Sequence, residues 1–230
     1  MRKQETTKWK CKYRLEKRQG DINACKTPEE RLAFLENIKP YESIEGKGNL
    51  MLNEGINEIW ALVTGAGGTA YNNANAQIGV GNKAAPAWAA NTAYALGDKV
   101  EPTTKNNCVY ECTTAGTSGA TEPTWTTNEG STVADNTVVW TCHTYEANAA
   151  QTDLIGASIL YKGMEAGYPT SGAQKVTFKS SFGATEANWA WEEWSVRNGA
   201  TANKNLNRKV ESLGTKSTGT WTLEVSITLS

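Results

Sequence analysis

The chain has 230 residues, 39% of them hydrophobic and 20% charged, and a formal net charge of −1, the profile of a globular protein of one or two domains. No apolar run approaches the roughly 20 residues of a membrane span, and the charged N-terminus lacks the apolar stretch of a secretory signal, so folding in a cytoplasm without membrane partners is expected. Nine Trp against three Phe, with an odd count of five Cys, speaks for short strands and turns rather than a helical bundle or a disulfide framework.

Taken in chain order, the first 20 residues hold eight Lys/Arg and two Glu, +6, which leaves −7 for the rest. Within them Trp9, Cys11, Tyr13 and Leu15 alternate with Lys8, Lys10, Lys12 and Arg14, a strand with one apolar and one basic face. Two readings stay open: an edge strand shielded by lysines, or an assembly arm (Lys8, Trp9, Lys10, Lys12, Tyr13, Arg14) that lies on an acidic neighbouring subunit. Nucleic acid is the least expected partner, because a basic stretch alone carries little information.

Thr27-Pro28-Glu29-Glu30 is a capping box with Pro in the first turn. It starts a short helix with Leu32, Leu35 and Ile38 as its apolar stripe, stopped by Pro40. A second helix follows, with Leu52, Ile56, Ile59, Trp60 and Val63 at helical spacing and Gly65 at its end. The Gly65–Ala70 stretch fits a dinucleotide fingerprint only formally. It follows a helix rather than a strand and no acidic residue stands about 20 positions on, so it reads as a loop.

Residues 86–145 have a separate logic. Trp88, Tyr94, Val100, Val109, Tyr110, Trp125, Val138 and Trp140 mark short strands between turns, flanked on both sides by Asn/Ala-rich segments. This pattern describes a small β-module inserted into a surface loop, with aromatics supplying most of its packing. Beyond it, residues 175–182 alternate, as do Trp221, Leu223, Val225, Ile227 and Leu229 with Thr222, Glu224, Ser226 and Thr228. Trp189 and Trp191 lie on one parity and Trp194 and Val196 on the other, which predicts a bulge near Glu192–Glu193. The fold class expected is mainly β: an antiparallel sandwich or jelly-roll-like host domain (45–85 and 146–230), one or two short helices, the module at 86–145, and the arm with its helix at 1–44.

Sites of chemistry are few. Cys108-x-x-x-Cys112 with Cys142-His143 can be read as buried thiols, as a cross-strand disulfide such as Cys112–Cys142, or as a metal site. Strand residues four apart stand about 13 Å apart, which disfavours the metal. The single histidine has no nucleophile motif beside it. Glu192 and Glu193, as neighbours on a strand, point to opposite faces and form no glycosidase pair. No catalytic residue, cofactor or metal is expected.

Two resemblances remain. "GNLMLNEGINEIWALVTGAGGTAYNNANAQIGVGN", "AAQTDLIG", "VTFKSSFGATEANWAWEEWSVRNG" and "NRKVESLGTKSTGTWTLEVSITLS" resemble a group of tailed-bacteriophage virion proteins. In the module, Trp88, Tyr94, Gly97-Asp98-Lys99-Val100, Tyr110, Pro123 and Trp125 resemble the pattern of small chitin- and cellulose-binding modules. The first resemblance implies a virion structural role: a capsid decoration or cement protein, a homotrimer with the major capsid protein as its partner. The second implies glycan contact through Trp88, Tyr94, Tyr110 and Trp125. It also opens the alternative of a tail-fibre or tail-tip component that binds host-surface glycans.

Overall fold

The computed structural model describes residues 9–199 and 201–229. Its strands are β1 (Trp9–Arg18), β2 (Glu42–Lys47), β3 (Leu50–Met51), β4 (Gln77–Gly81), β5 (Ala93–Tyr94), β6 (Lys99–Val100), β7 (Cys108–Thr114), β8 (Gly116–Thr117), β9 (Thr132–Asp135), β10 (Val138–Thr144), β11 (Ile159–Gly163), β12 (Thr170–Gly172), β13 (Lys175–Phe182), β14 (Ala190–Arg197), β15 (Asn205–Thr215) and β16 (Thr220–Leu229). The helices are α1 (Pro28–Asn37) and α2 (Asn53–Thr64).

Two five-stranded antiparallel sheets, ordered β12-β13-β16-β1-β2 and β11-β4-β14-β15-β3, face each other as a sandwich. Alternation builds the core between them. The odd residues of β16, Trp221 to Ile227, point inward beside Cys11, Tyr13 and Leu15 of β1, and the opposite sheet contributes Ile78, Val80, Trp191, Trp194 and Val196. Edge-to-face rings lock the centre: Trp191 lies 4.8 Å from Phe182 and 4.9 Å from Trp221, and Tyr13 lies 5.4 Å from Trp194. The expected break in β14 is present, since register shifts between Trp191 and Glu193. The excess residues, however, lie on the partner strand. Trp191 pairs with Gly214 and Glu193 with Val210, and in this way both Trp191 and Trp194 reach the core.

The N-terminal arm requires correction. Residues 9–18 are neither free nor an edge: β1 pairs along its whole length with β16 and over Lys12–Lys17 with β2. The physical reason lies in its two faces, since the apolar face fills the sandwich while the lysine face is turned outward, as an interior strand of a one-sided sheet allows. Lys8 lies outside the described residues. The caps expected at the start of α1 and the end of α2 are present, whereas α2 starts at Asn53 behind Leu52, which makes no side-chain cap. Thr27 and Glu30 form the reciprocal capping box of α1, and Gly65 closes α2 in the left-handed conformation at φ 70°.

Residues 87–144 form their own four-stranded sheet, β6-β7-β10-β9, with the β5-β8 pair beside it and a separate aromatic core. The module is anchored on the segment that follows it. Lys99 donates to the carbonyls of Leu154 and Gly156 at 3.2 and 3.3 Å, and the Tyr145 hydroxyl donates to Glu101 at 2.9 Å.

Candidate assembly surface

The residues expected to hold glycan are placed mostly in the module core. Trp88 is 8% exposed and Tyr110 is fully buried, so neither offers a ring face, a correction to the expectation that they stack on sugars. Trp88 donates instead to Asp135 at 2.8 Å, a carboxylate shared with Trp140 at 3.1 Å. Tyr94 and Trp125 are half-buried. Tyr94 stands edge-on to Trp140 at 4.8 Å, and Trp125 leans on Tyr110 at 4.2 Å. The sequence pattern has therefore captured packing: in a module this small the aromatics are the core.

The thiols are also structural. All five are free. Cys112 is in register with Trp140 and Cys142 with Tyr110, so the Cys112–Cys142 bridge does not form. Burial pushes Cys142 and Cys11 up to about 12 from 9.0, which leaves them protonated and unreactive at neutral pH. His143 bonds Glu129 through Nδ1 at 2.8 Å, and Glu129 also accepts from Thr144 and Gln151. Among the described residues no group of three or more His, Cys, Asp or Glu is placed to hold a metal.

The surface that departs from the expected behaviour of a folded chain is α2. An amphipathic helix ordinarily buries its apolar stripe; here Glu54 and Glu58 share the inward side with Gly55 and with Ile59, which packs against the sandwich core. Glu58 accepts from Thr69 N at 2.5 Å and from Asn198 at 2.8 Å, and Glu54 accepts from Asn205 N at 2.6 Å. Between them Gly55 lies against the backbone of Leu206, so close that a Cβ would stand 2.6 Å from its Cα. Ile56, Trp60 and Val63, one helical stripe, point to solvent at 36%, 60% and 68% exposure, with Leu62 beside them. Ile59 connects this stripe to an apolar groove of about 480 Å³, lined by Trp9, Tyr71, Val176, Ile227 and Leu229. Periodicity had identified the helix but not which face it buries, and the acidic pair at 54 and 58 was the available signal.

Compared with family models, curated proteins and solved structures, the chain has no match.

Proposed function

We propose that the protein is a structural subunit that assembles with copies of itself through the apolar face of α2. The outward stripe Ile56–Trp60–Val63 carries this reading, because exposed Trp at the centre of an apolar patch is the residue type that dominates protein interfaces. Fully covering an aromatic side chain removes ~150–250 Å², so the stripe and adjoining groove offer on the order of 400 Å² of apolar surface. That matches the apolar share, a little over half, of the ~800 Å² each partner of a standard interface buries. A second copy is the occupant that fits, since protruding indole and receiving groove adjoin on one chain and rotational symmetry can satisfy both.

The setting we propose is a phage virion, with the protein as a capsid decoration or cement subunit, assembled as a homotrimer on the major capsid protein. Support comes from the resemblance of the host-domain segments and from the β-sandwich scaffold that carries them. Glycan binding by a tail fibre would fall to Tyr94 and Trp125 alone, whose rings are engaged with Trp140 and Tyr110; the open face of α2 is firmer ground.

Sedimentation equilibrium on the full chain tests the reading. The wild type is expected to associate at micromolar concentration, and the Trp60→Glu/Val63→Glu variant to be monomeric with an unchanged circular dichroism spectrum. A wild type that stays monomeric at 100-fold higher concentration overturns it. In purified virions, hundreds of copies per particle place the protein on the head, whereas a few dozen place it in the tail.

A further inference from the structure

The outer face of the β12-β13-β16-β1-β2 sheet divides into two halves of different electrostatic character, and cross-strand register draws the line. One row across the strands reads Lys179, Glu224, Arg14, Glu45. Signs alternate and neighbours pair: Lys179 with Glu224 at 3.4 Å, Arg14 with Glu45 at 3.7 Å and with Glu16 at 2.8 Å. The next row reads Thr177, Ser226, Lys12, Lys47, and the one beyond it Lys175, Thr228, Lys10. These two rows hold four ammonium groups and three hydroxyls, with no carboxylate. Among the described residues none of the four lysines makes an ion pair, although every charged residue of the adjoining row does. Lys12 and Lys47 stand directly opposite one another, an arrangement that destabilises a sheet when the charges are alike. Lys10, Lys12 and Lys175 line a hollow of about 470 Å³ with Ser226 and Thr228, and Arg14, Glu45 and Glu224 of the paired row close its other side.

The geometry points to a docking plateau for a carboxylate-rich protein surface, formed by Lys10, Lys12, Lys47 and Lys175. A chain able to pair its charges by register in one row leaves them unpaired in the next two, so the counter-charge is supplied from outside. Residues two apart on a strand are about 6.6 Å apart and neighbouring strands about 4.8 Å, so the backbone holds the four lysine stems in a fixed grid from which the flexible ammoniums can reach carboxylates on a folded surface. Single-stranded nucleic acid is disfavoured, because the grid holds no aromatic ring on which a base could stack. The proposal does not depend on self-association through α2, although Lys175 also lines the groove beside that helix.

The test uses the full-length protein with two probes, fluorescein-labelled poly-L-glutamate and a labelled 30-nucleotide oligothymidine, followed by anisotropy between 50 and 300 mM NaCl. The wild type is expected to bind poly-L-glutamate with a steep salt dependence and at least tenfold more tightly than the oligonucleotide. Lys10→Gln/Lys12→Gln/Lys47→Gln/Lys175→Gln should lose at least tenfold, while Arg14→Gln/Lys179→Gln in the paired row should stay within threefold. Lys12→Glu separates binding from folding, because it relieves the like-charge pair with Lys47. Its Tm should equal or exceed that of the wild type while poly-L-glutamate affinity falls at least fivefold. Equal binding by the wild type and the quadruple variant, tighter binding of the oligonucleotide, or a Tm several degrees lower for Lys12→Glu overturns the proposal.

Discussion

Arg208 is 1% exposed and uses its planar fork completely. It donates to Glu193 at 2.6 and 2.8 Å, to Gln151 at 2.7 Å, and to the carbonyls of Tyr145 and Glu146 at 3.2 Å. Glu193 in turn accepts from the backbone N–H groups of Ile155 and Gly156. A buried pair this well satisfied contributes little against an apolar replacement of both partners, but losing one partner strands a charge. Arg208→Met is therefore expected to cost about 3–5 kcal/mol, and Arg208→Met/Glu193→Gln less than the sum of the singles, read from urea unfolding. Titration enters through other buried groups. Burial holds Cys11 and Cys142 up at about 12 in the folded protein, against 9.0, so the unfolded chain releases these protons first and stability falls as pH rises from 9 towards 12. Lys216 works in the opposite sense. Burial lowers it from 10.5 to about 8, the unfolded chain then holds the extra proton, and stability rises between pH 8 and 10.5. The urea midpoint should accordingly gain slightly from pH 7.5 to 9 and decline at higher pH, and Lys216→Met should abolish the gain. A midpoint that falls monotonically from pH 7.5 in the wild type contradicts this assignment.

At the scale of elements, α2 is held by its one glycine. Any side chain at Gly55 meets the Leu206 backbone rather than a movable side chain, so Gly55→Ala has to lift the helix off β15 and is expected to destabilise by about 1–3 kcal/mol, the usual range for overpacking. Helix propensity alone predicts the reverse sign, since Ala is favoured over Gly by about 1 kcal/mol, and a melting curve decides between them. The same helix shows where sequence reading succeeds and where it stops. Its C-terminal limit at Gly65 was legible in local chemistry, as was the capping box of α1, because caps act within a few residues. The register break at Glu192–Glu193 was legible in the parity of Trp191 and Trp194. The outward orientation of α2 was not, because it is set by Asn198, Asn205 and Leu206, about 140 residues away. β1 failed similarly: alternation showed its two faces, but not that β16 and β2 would take both of its edges. The aromatic pattern of the module described its core and was silent on which rings face solvent.

For the whole molecule, the question is whether the module and the sandwich are one cooperative unit. Their cores are separate, and the host closes beneath the insertion. Asn82 N donates to Ser158 O at 3.0 Å, and Ala157 N to Ala84 O at 2.9 Å, which continues the β4–β11 ladder to the point where the chain leaves. Ala85 then packs on Tyr145 and Ile155, so the two ends of the module meet across one small apolar contact. Replacing residues 86–144 by a short Gly/Ser linker therefore removes no strand of either five-stranded sheet and costs the anchoring contacts: Tyr145 to Glu101 and Asn107, Lys99 to Leu154 and Gly156, Gln151 to Glu129 and Thr144, and the packing of Val109 on Tyr145 and Ile155. Loop closure adds little, since entropy grows only slowly with loop length. The excised host is expected to unfold in a single cooperative transition and, if α2 is the self-association surface, to sediment with the same subunit number as the full chain. Deleting residues 9–18 should have the opposite outcome, because β1 joins β16 to β2 and carries Cys11, Tyr13 and Leu15 into the core. That variant should lose its near-ultraviolet dichroism and its cooperative melt. A module-less host that fails to fold, or a β1 deletion that keeps its melt, would show that the load is carried elsewhere than in the two-sheet sandwich.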